Sequence, residues 1–380
     1  MPLMKKITRE KRERDVQRGI KNRIKSPKNK RNRKYISIKN KNIVSNWLKK
    51  AMDRGLNAKI YKNRRVVLEL PEKMNFYQDY ELTTLHLMAI RHLSTKSRRS
   101  VKIHRLSSVN FDHLKSISTS AALVLTAELS KWDDTIRQKL TPRTDNWDDN
   151  IFRKLHDLGF FGLFNRPPTK KILPSAERNE NIKIVEYIKG ECGDSKKTRE
   201  LKKAIIKIVG EKVEKWTFLH SGIDEAITNV THHAYPEGTQ FYQKEKKWYL
   251  TGSYNRATNE LKVVFYDQGI GIPKSLPTSK VWEKALDVLS ILPIADRKKD
   301  AAMLKAAIQL DRTSTEKTDR GKGLQDLLEF VRKREDGYLS ILSAKGLYKL
   351  TLNRAKETSK SKHFMNAIDG TLIIWSVTLD

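Results

Sequence analysis

In the stretch KWYLTGSYNRATNELKVVFYDQGIGIP, residues 247–273, two apolar runs flank a polar turn, and the second run ends on a carboxylate followed by two glycines. Aromatic and β-branched residues crowd both runs, and RATNE between them has the composition of a turn. The segment is therefore expected to be a β-hairpin. Its second strand delivers Asp267 to the strand end. A carboxylate at the rim of a buried strand accepts a hydrogen bond from an exocyclic amine, such as that of adenine. Gly269 and Gly271 let the backbone turn tightly beside a ligand. GIGIP runs into a proline, not into a phosphate-binding helix start, so it is no dinucleotide-binding fingerprint.

Outward from the hairpin, helical and strand patterns mix. Residues 198–235 contain two helices, and VWEKALDVLSILP (281–293), DAAMLKAAIQL (300–310) and LQDLLEFVRKRED (324–336, stopping at Gly337) read as three more. YLSILS (338–343), YKLTLN (348–353) and GTLIIWSVTL (370–379) read as strands joined by short turns. The class is α+β, with a mixed, mainly antiparallel sheet and not an alternating doubly wound one. Upstream, strands are expected in 59–71 and 100–111 and helices in 79–94, 120–140 and 145–158, with Gly159 as a C-cap. RPPT (166–169) breaks the pattern. The expected layout is a basic arm and short helix over 1–55 ending at Gly55, a smaller N-terminal α/β domain over 56–165, a linker over 166–178, and a C-terminal domain over 179–380.

Four segments of the C-terminal part carry residues suited to one site. In IDEAITNVTHHAY (223–235), Glu225 and Asn229 are four apart, so both project from one helical face. A carboxylate there can orient and deprotonate a water or hydroxyl. An amide oxygen suits Mg²⁺, which takes hard oxygen ligands and brings phosphates with it. Read alone, the pair fits an exposed helix equally well. The second segment is Asp267–Gly271. In the third, TSTEKTDRGKGL, Gly321 and Gly323 precede a helix whose N-terminal amides can meet an anion, and Arg320 and Lys322 add charge. The fourth is DGTLIIW, where Thr371 opens a late strand.

In order and spacing these segments resemble the GHKL superfamily, the ATP-binding domain of histidine kinases, gyrase, a heat-shock chaperone and mismatch-repair ATPases. IDEAITNVTHHAY looks like its N box, DQGIGIP its first glycine box, DRGKGL its second, and GT its last strand motif. Within that superfamily the pattern is most similar to anti-sigma-factor serine kinases, over roughly residues 185–380. The resemblance implies a two-layer α/β sandwich of the Bergerat type binding ATP and Mg²⁺. Glu225 would be the general base, Asn229 the Mg²⁺ ligand, and Asp267 the adenine-recognising group supported by Thr371. Gly269, Gly271, Gly321 and Gly323 would shape the pocket and a lid at about 296–323, and Arg320 and Lys322 would touch phosphates. His233 and Tyr235 match family positions that line the pocket, and His232 is a bystander on this reading. A sensor kinase would also need a phosphoacceptor histidine; His86 lacks the expected continuation and reads as a core or surface group.

The N-terminal half is similar, more loosely, to a STAS domain. Ser118, Thr119 and Ser120 stand at the strand-to-helix junction where that family carries its phosphorylatable serine, but Ser-Thr-Ser-Ala replaces its Asp-Ser-Ser-Gly. Ser118 or Ser120 can equally cap the helix.

Composition bounds the rest. The net charge is +33, and residues 1–50 hold nineteen Lys and Arg against three acidic residues, about half of the excess. Such a field favours polyanions, and a Lys-, Asn- and Ile-rich composition accounts for part of it without any partner. The lone Cys192 excludes an internal disulfide and a Cys-rich zinc site. No apolar run reaches membrane-spanning length and the start lacks a signal-like apolar core, so a cytoplasmic protein is expected. The expected function is an ATP-binding regulatory protein that hydrolyses ATP or phosphorylates a protein Ser or Thr in a partner-switching manner, with a protein partner or phosphoryl acceptor; the sequence leaves dimeric assembly open. The alternatives are a nucleic-acid-associated ATPase gripping its substrate through residues 1–50 with a lid or dimer clamp, and a non-catalytic ATP-gated interaction switch.

Overall fold

The computed structural model describes residues 46–61, 65–94, 104–132, 142–171, 181–191, 194–211, 213–236, 246–279, 282–313 and 323–379. The expected basic arm, apart from its closing helix, lies outside them, as does Cys192. The N-terminal half comprises α1 (46–53), β1 (Ala58–Ile60), β2 (Arg65–Glu69), β3 (Lys73–Met74), α2 (Tyr80–Ser94), β4 (Arg105–Asn110), β5 (Ser116–Ile117), α3 (Thr119–Ser130) and α4 (Asp149–Asp157). Then follow β6 (Ile182–Ile184), β7 (Ile188–Glu191), α5 (Thr198–Val209), α6 (Trp216–Asn229), β8 (Lys247–Asn255) and β9 (Glu260–Asp267). The chain closes with α7 (Ile272–Ser275), α8 (Trp282–Ser290), α9 (Ile294–Arg297), α10 (Asp300–Thr313), α11 (Asp326–Arg334), β10 (Gly337–Asn353) and β11 (Lys356–Thr378).

The main sheet has the order β10-β11-β9-β8-β6, with β7 also pairing β8, and every described pairing in it is antiparallel. The parallel pairs, β2 with β4 and β3 with β5, belong to two small sheets of the N-terminal half. The fold is thus α+β with mixed sheets, and its parallel component is N-terminal, where the sequence placed it in the C-terminal sheet. The hairpin expected over 247–267 forms, turning at residues 256–259.

Successive strand residues face opposite ways. Leu261, Val263 and Phe265 of β9 enter a core built with Leu201, Leu219, Leu304 and Leu327 from α5, α6, α10 and α11. Val264 and Tyr266 enter a second core with Leu85 of α2 and Leu123 of α3. The sheet is therefore the middle of three layers. Within the C-terminal half the sheet carries its own helices on one face, and the N-terminal helices cover its other face. That arrangement explains why α3 is buried all round from Thr119 to Leu129, because it is enclosed by its own half and by the sheet. The leading part of the expected linker is held down too: Lys170 donates to the Trp147 carbonyl at 2.5 Å and its amide donates to Thr144 Oγ1 at 3.0 Å.

Two further expectations change. YLSILS and YKLTLN are one strand, β10; the Ala344–Gly346 segment between them is an irregularity in its pairing, not a turn. A Cβ on Gly346 would come within 2.8 Å of the Asp300 carbonyl oxygen, so that segment seats the start of α10. Half of the expected lid, 300–313, is α10 itself. Leu304, Ile308 and Leu310 are buried, so this stretch is packed structure; 314–322 lie outside the described residues.

Candidate functional site

Helix α6 buries Leu219, Ile223, Ala226 and Ile227, and its close approach to α11 is possible because Gly222 has no side chain: a Cβ there would meet the Asp326 carbonyl at 3.1 Å. That packing turns Glu225 and Asn229 toward a cavity of about 710 Å³. Asn229 Nδ2 donates to Glu225 Oε1 at 2.8 Å. A carboxylate only accepts, so the amide nitrogen faces it and the amide oxygen is left for another partner. The helix then widens into a π-helical turn, Val230–Ala234, a distortion that recurs at functional sites. It aims His232 and His233 into the same cavity. Burial pushes the His233 imidazole below the usual histidine range, and the neighbouring His232 adds to this.

The far end of the cavity is built on β9 and β11. Asp267 is 4% exposed, and its Oδ1 accepts from the Gly269 amide at 2.8 Å. Burial pushes its carboxyl up to about 7, against hydrogen bonds from Gly269 and from the backbone and hydroxyl of Thr371 that favour the ionised form; Asp369 nearby raises it further. Thr371 Oγ1 lies 3.1 Å from Ser343 Oγ, which accepts from the Ile272 amide at 2.9 Å. The turn after Asp267 is thus tied to both long strands.

Three glycines make these close approaches possible. A Cβ on Gly269 would fall 2.3 Å from the Ala234 carbonyl oxygen, the same atom that accepts from the Ile270 amide at 2.8 Å. Gly271 has φ +83° and would meet Ser343 Oγ at 2.7 Å. Gly370 has φ +70° and would meet the Asp267 carbonyl oxygen at 2.1 Å. So the π-helical turn, the Asp267 turn and β11 interlock through positions where only glycine fits.

Of the residues singled out in the sequence, Glu225, Asn229, His233, Asp267, Gly271, Gly323 and Thr371 line this one cavity. Gly269 holds its wall from behind. His232 also lines it, where a bystander was expected. Tyr235 does not: it is buried, and its hydroxyl donates to the Lys247 carbonyl at 2.9 Å and accepts from the Gln268 amide at 3.3 Å. Its role is to pin the ends of β8 and β9. Arg320, Gly321 and Lys322 lie outside the described residues. His86 is a core group, fully buried, with Nδ1 2.8 Å from the Leu82 carbonyl. Ser343 carried no signal in the sequence, and Gly370 entered only as the first residue of the GT strand motif, without a role of its own.

A buried ionic network backs the site from the N-terminal layer. Glu128 of α3 is 2% exposed and receives the Arg91 guanidinium, the Tyr266 hydroxyl (3.3 Å) and Gln268 Nε2 (3.2 Å). Arg91 also pairs with Asp369. Burial works against the Glu128 charge, but Arg91 and Lys131 outweigh it and hold the carboxyl down at about 2.

Among the described residues no group of three or more His, Cys, Asp and Glu is placed to hold a metal ion, and no helix is long and apolar enough to cross a membrane. The sequence matches no protein-family model and no curated protein.

Proposed function

We propose that the chain is an ATP-binding regulatory protein with a Mg²⁺-ATP site of GHKL type, and that the antiparallel sheet with α6, α10 and α11 is a Bergerat-like sandwich. One observation carries the reading: Glu225 and Asn229 from one helix, and Asp267 and Thr371 from two neighbouring strands, meet on the same cavity of about 710 Å³. That volume lies within the range of sites that enclose a ligand of nucleotide size.

The residues fit the groups they would serve. Buried Asp267 offers a carboxylate acceptor to an exocyclic amine, and Thr371 and Gly269 hold it in place. The Asn229 amide oxygen, turned away from Glu225, is the hard oxygen that a Mg²⁺ ion would take from the protein, with phosphates and water completing its shell. The ion would polarise the terminal phosphoryl group. Glu225, held by Asn229, takes the proton from an attacking water or protein hydroxyl.

For the N-terminal half, the STAS-like reading rests on the junction of β5, Ser118 and α3 alone. Ser118 is the N-cap of α3, accepting from the Ala121 amide at 3.2 Å, and the division into a three-stranded and a two-stranded sheet weighs against it. The test of activity is incubation of the full chain with γ-labelled ATP and Mg²⁺, separating free phosphate from labelled protein. Parent protein should release label or transfer it, and Glu225→Ala should do neither. Equal release by both would remove Glu225 from the mechanism.

A further inference from the structure

A second cavity, of about 340 Å³, lies on the opposite face of the same strands. Phe265 and Ile373 line the first cavity; their neighbours Val264 and Ile374 line the second. Its other walls come from the N-terminal layer and from β6, β8 and β10, so it sits where the two halves of the chain meet.

Three lysines converge on it: Lys154 of α4, Lys262 of β9 and Lys349 of β10. Lys262 is compensated by Glu260, 2.6 Å away, and Glu260 also accepts from Ser376 Oγ at 2.6 Å. The other two have no carboxylate partner among the described residues. Lys154 donates to the Ile117 carbonyl at 2.8 Å, and Lys349 lies over the Tyr338 and Tyr77 rings at 4.2 and 4.7 Å. Lys349 also stands directly opposite Lys360 in the β10–β11 register, a like-charge pairing that weakens a sheet. Burial lowers the affinity of both Lys154 and Lys349 for their protons, and the Lys262 charge lowers it again. Two partly desolvated ammonium groups with no carboxylate partner among the described residues therefore line one cavity, whose remaining walls are apolar, aromatic, hydroxyl- and amide-bearing, with the Glu260 carboxylate beside Lys262.

We propose that this crevice is a binding site for a small phosphomonoester with an apolar or aromatic body. Two uncompensated ammonium groups match one dianionic phosphate, and lysine serves phosphate as a mobile point charge. Tyr77, 78% exposed, and Leu347 offer the surface for the body. The volume is at the small end for ligand sites, enough for a single-ring phosphate ester but not for a nucleoside triphosphate. This site is independent of the nucleotide reading above.

Thermal unfolding of the full chain with phenyl phosphate tests it, at constant ionic strength, with phenol and inorganic phosphate as separate arms. Phenyl phosphate should raise the Tm saturably, inorganic phosphate should act more weakly and phenol not at all. Lys349→Met should weaken the response roughly tenfold or more, as loss of one charged contact does. It should fold, because relief of the Lys349–Lys360 repulsion offsets loss of the contacts with the Tyr77 and Tyr338 rings. Lys154→Met should weaken the response similarly, and Asn229→Ala in the first cavity should leave it intact. No shift in the parent, an undiminished shift in both lysine variants, or a shift lost only in Asn229→Ala would overturn the proposal.

Discussion

Asn229 donates its amide N–H to Glu225 at 2.8 Å across one helical turn, so the two polar groups of α6 that face the cavity are oriented as a pair. Loss of either side chain removes that bond. Asn229→Ala should leave the fold intact, because the position is only half-buried, and should make nucleotide affinity insensitive to Mg²⁺. Calorimetric titration of ATP with and without Mg²⁺ checks this; a retained Mg²⁺ effect would remove Asn229 as the metal ligand.

Asp267 gives the site a pH signature. Its folded-state carboxyl titrates at about 7, well above an unfolded aspartate at 3.8, so between these values the folded chain binds more protons than the unfolded one. Its contribution to stability is therefore full below about pH 4 and is lost as the pH rises through about 7. Asp267→Asn should remove that part of the slope, and the difference in Tm between parent and variant should shift in the variant's favour as pH is raised from 4 to 8. An amine-donating ligand needs the ionised form, so parent affinity for ATP should increase from pH 6 to pH 8. A flat difference in Tm across that range would show that Asp267 titrates normally.

The glycine contacts predict steep steric penalties. Gly370→Ala combines a positive φ with a 2.1 Å approach to the Asp267 carbonyl, and Gly269→Ala meets the Ala234 carbonyl at 2.3 Å. Each should destabilise the chain by roughly 2 kcal/mol or more in denaturant titrations. Gly162→Ala, where nothing lies within 4 Å, serves as the control and should be near neutral.

The N-terminal layer should matter to a site it does not touch. Arg91→Met takes the guanidinium from the buried Glu128 carboxylate, leaving it Lys131, Tyr266 and Gln268, and releases Asp369, whose neighbour Gly370 packs on Asp267. Removing one partner of such a buried pair costs about 3 kcal/mol. The double variant Arg91→Met/Glu128→Leu should recover part of that loss. Because the Glu128 carboxyl is depressed to about 2, the network stabilises the parent above the ordinary glutamate range and fades as pH falls toward 2. Nucleotide affinity should drop in Arg91→Met, measured at a temperature where the variant is fully folded.

What the sequence made legible was local. The four-residue spacing of Glu225 and Asn229, the strand-end position of Asp267 and the hairpin around RATNE are short-range patterns, and each falls where periodicity places it. The three-layer arrangement is not local. β8 and β9 are buried on both faces, so they carry no polar alternation to say what covers the second face, and α3 signals its burial without naming its neighbour. The Ala344–Gly346 irregularity has turn-like composition, but its glycine is required by the approach of Asp300. The apolar residues of α10 that look compatible with a lid are spent on packing against the sheet. Tyr235 fits a pocket-lining motif position but points its hydroxyl at Lys247 and Gln268 instead.

The most direct measurement is the affinity of the full chain for Mg²⁺-ATP by isothermal titration calorimetry, in the parent, in Asp267→Asn and in Glu225→Ala. A site with separate recognition and catalytic groups predicts saturable binding by the parent, binding at least roughly tenfold weaker in Asp267→Asn from loss of a charged hydrogen bond, and near-parental binding in Glu225→Ala. Equal affinity in the parent and Asp267→Asn, or no binding by the parent, would contradict it.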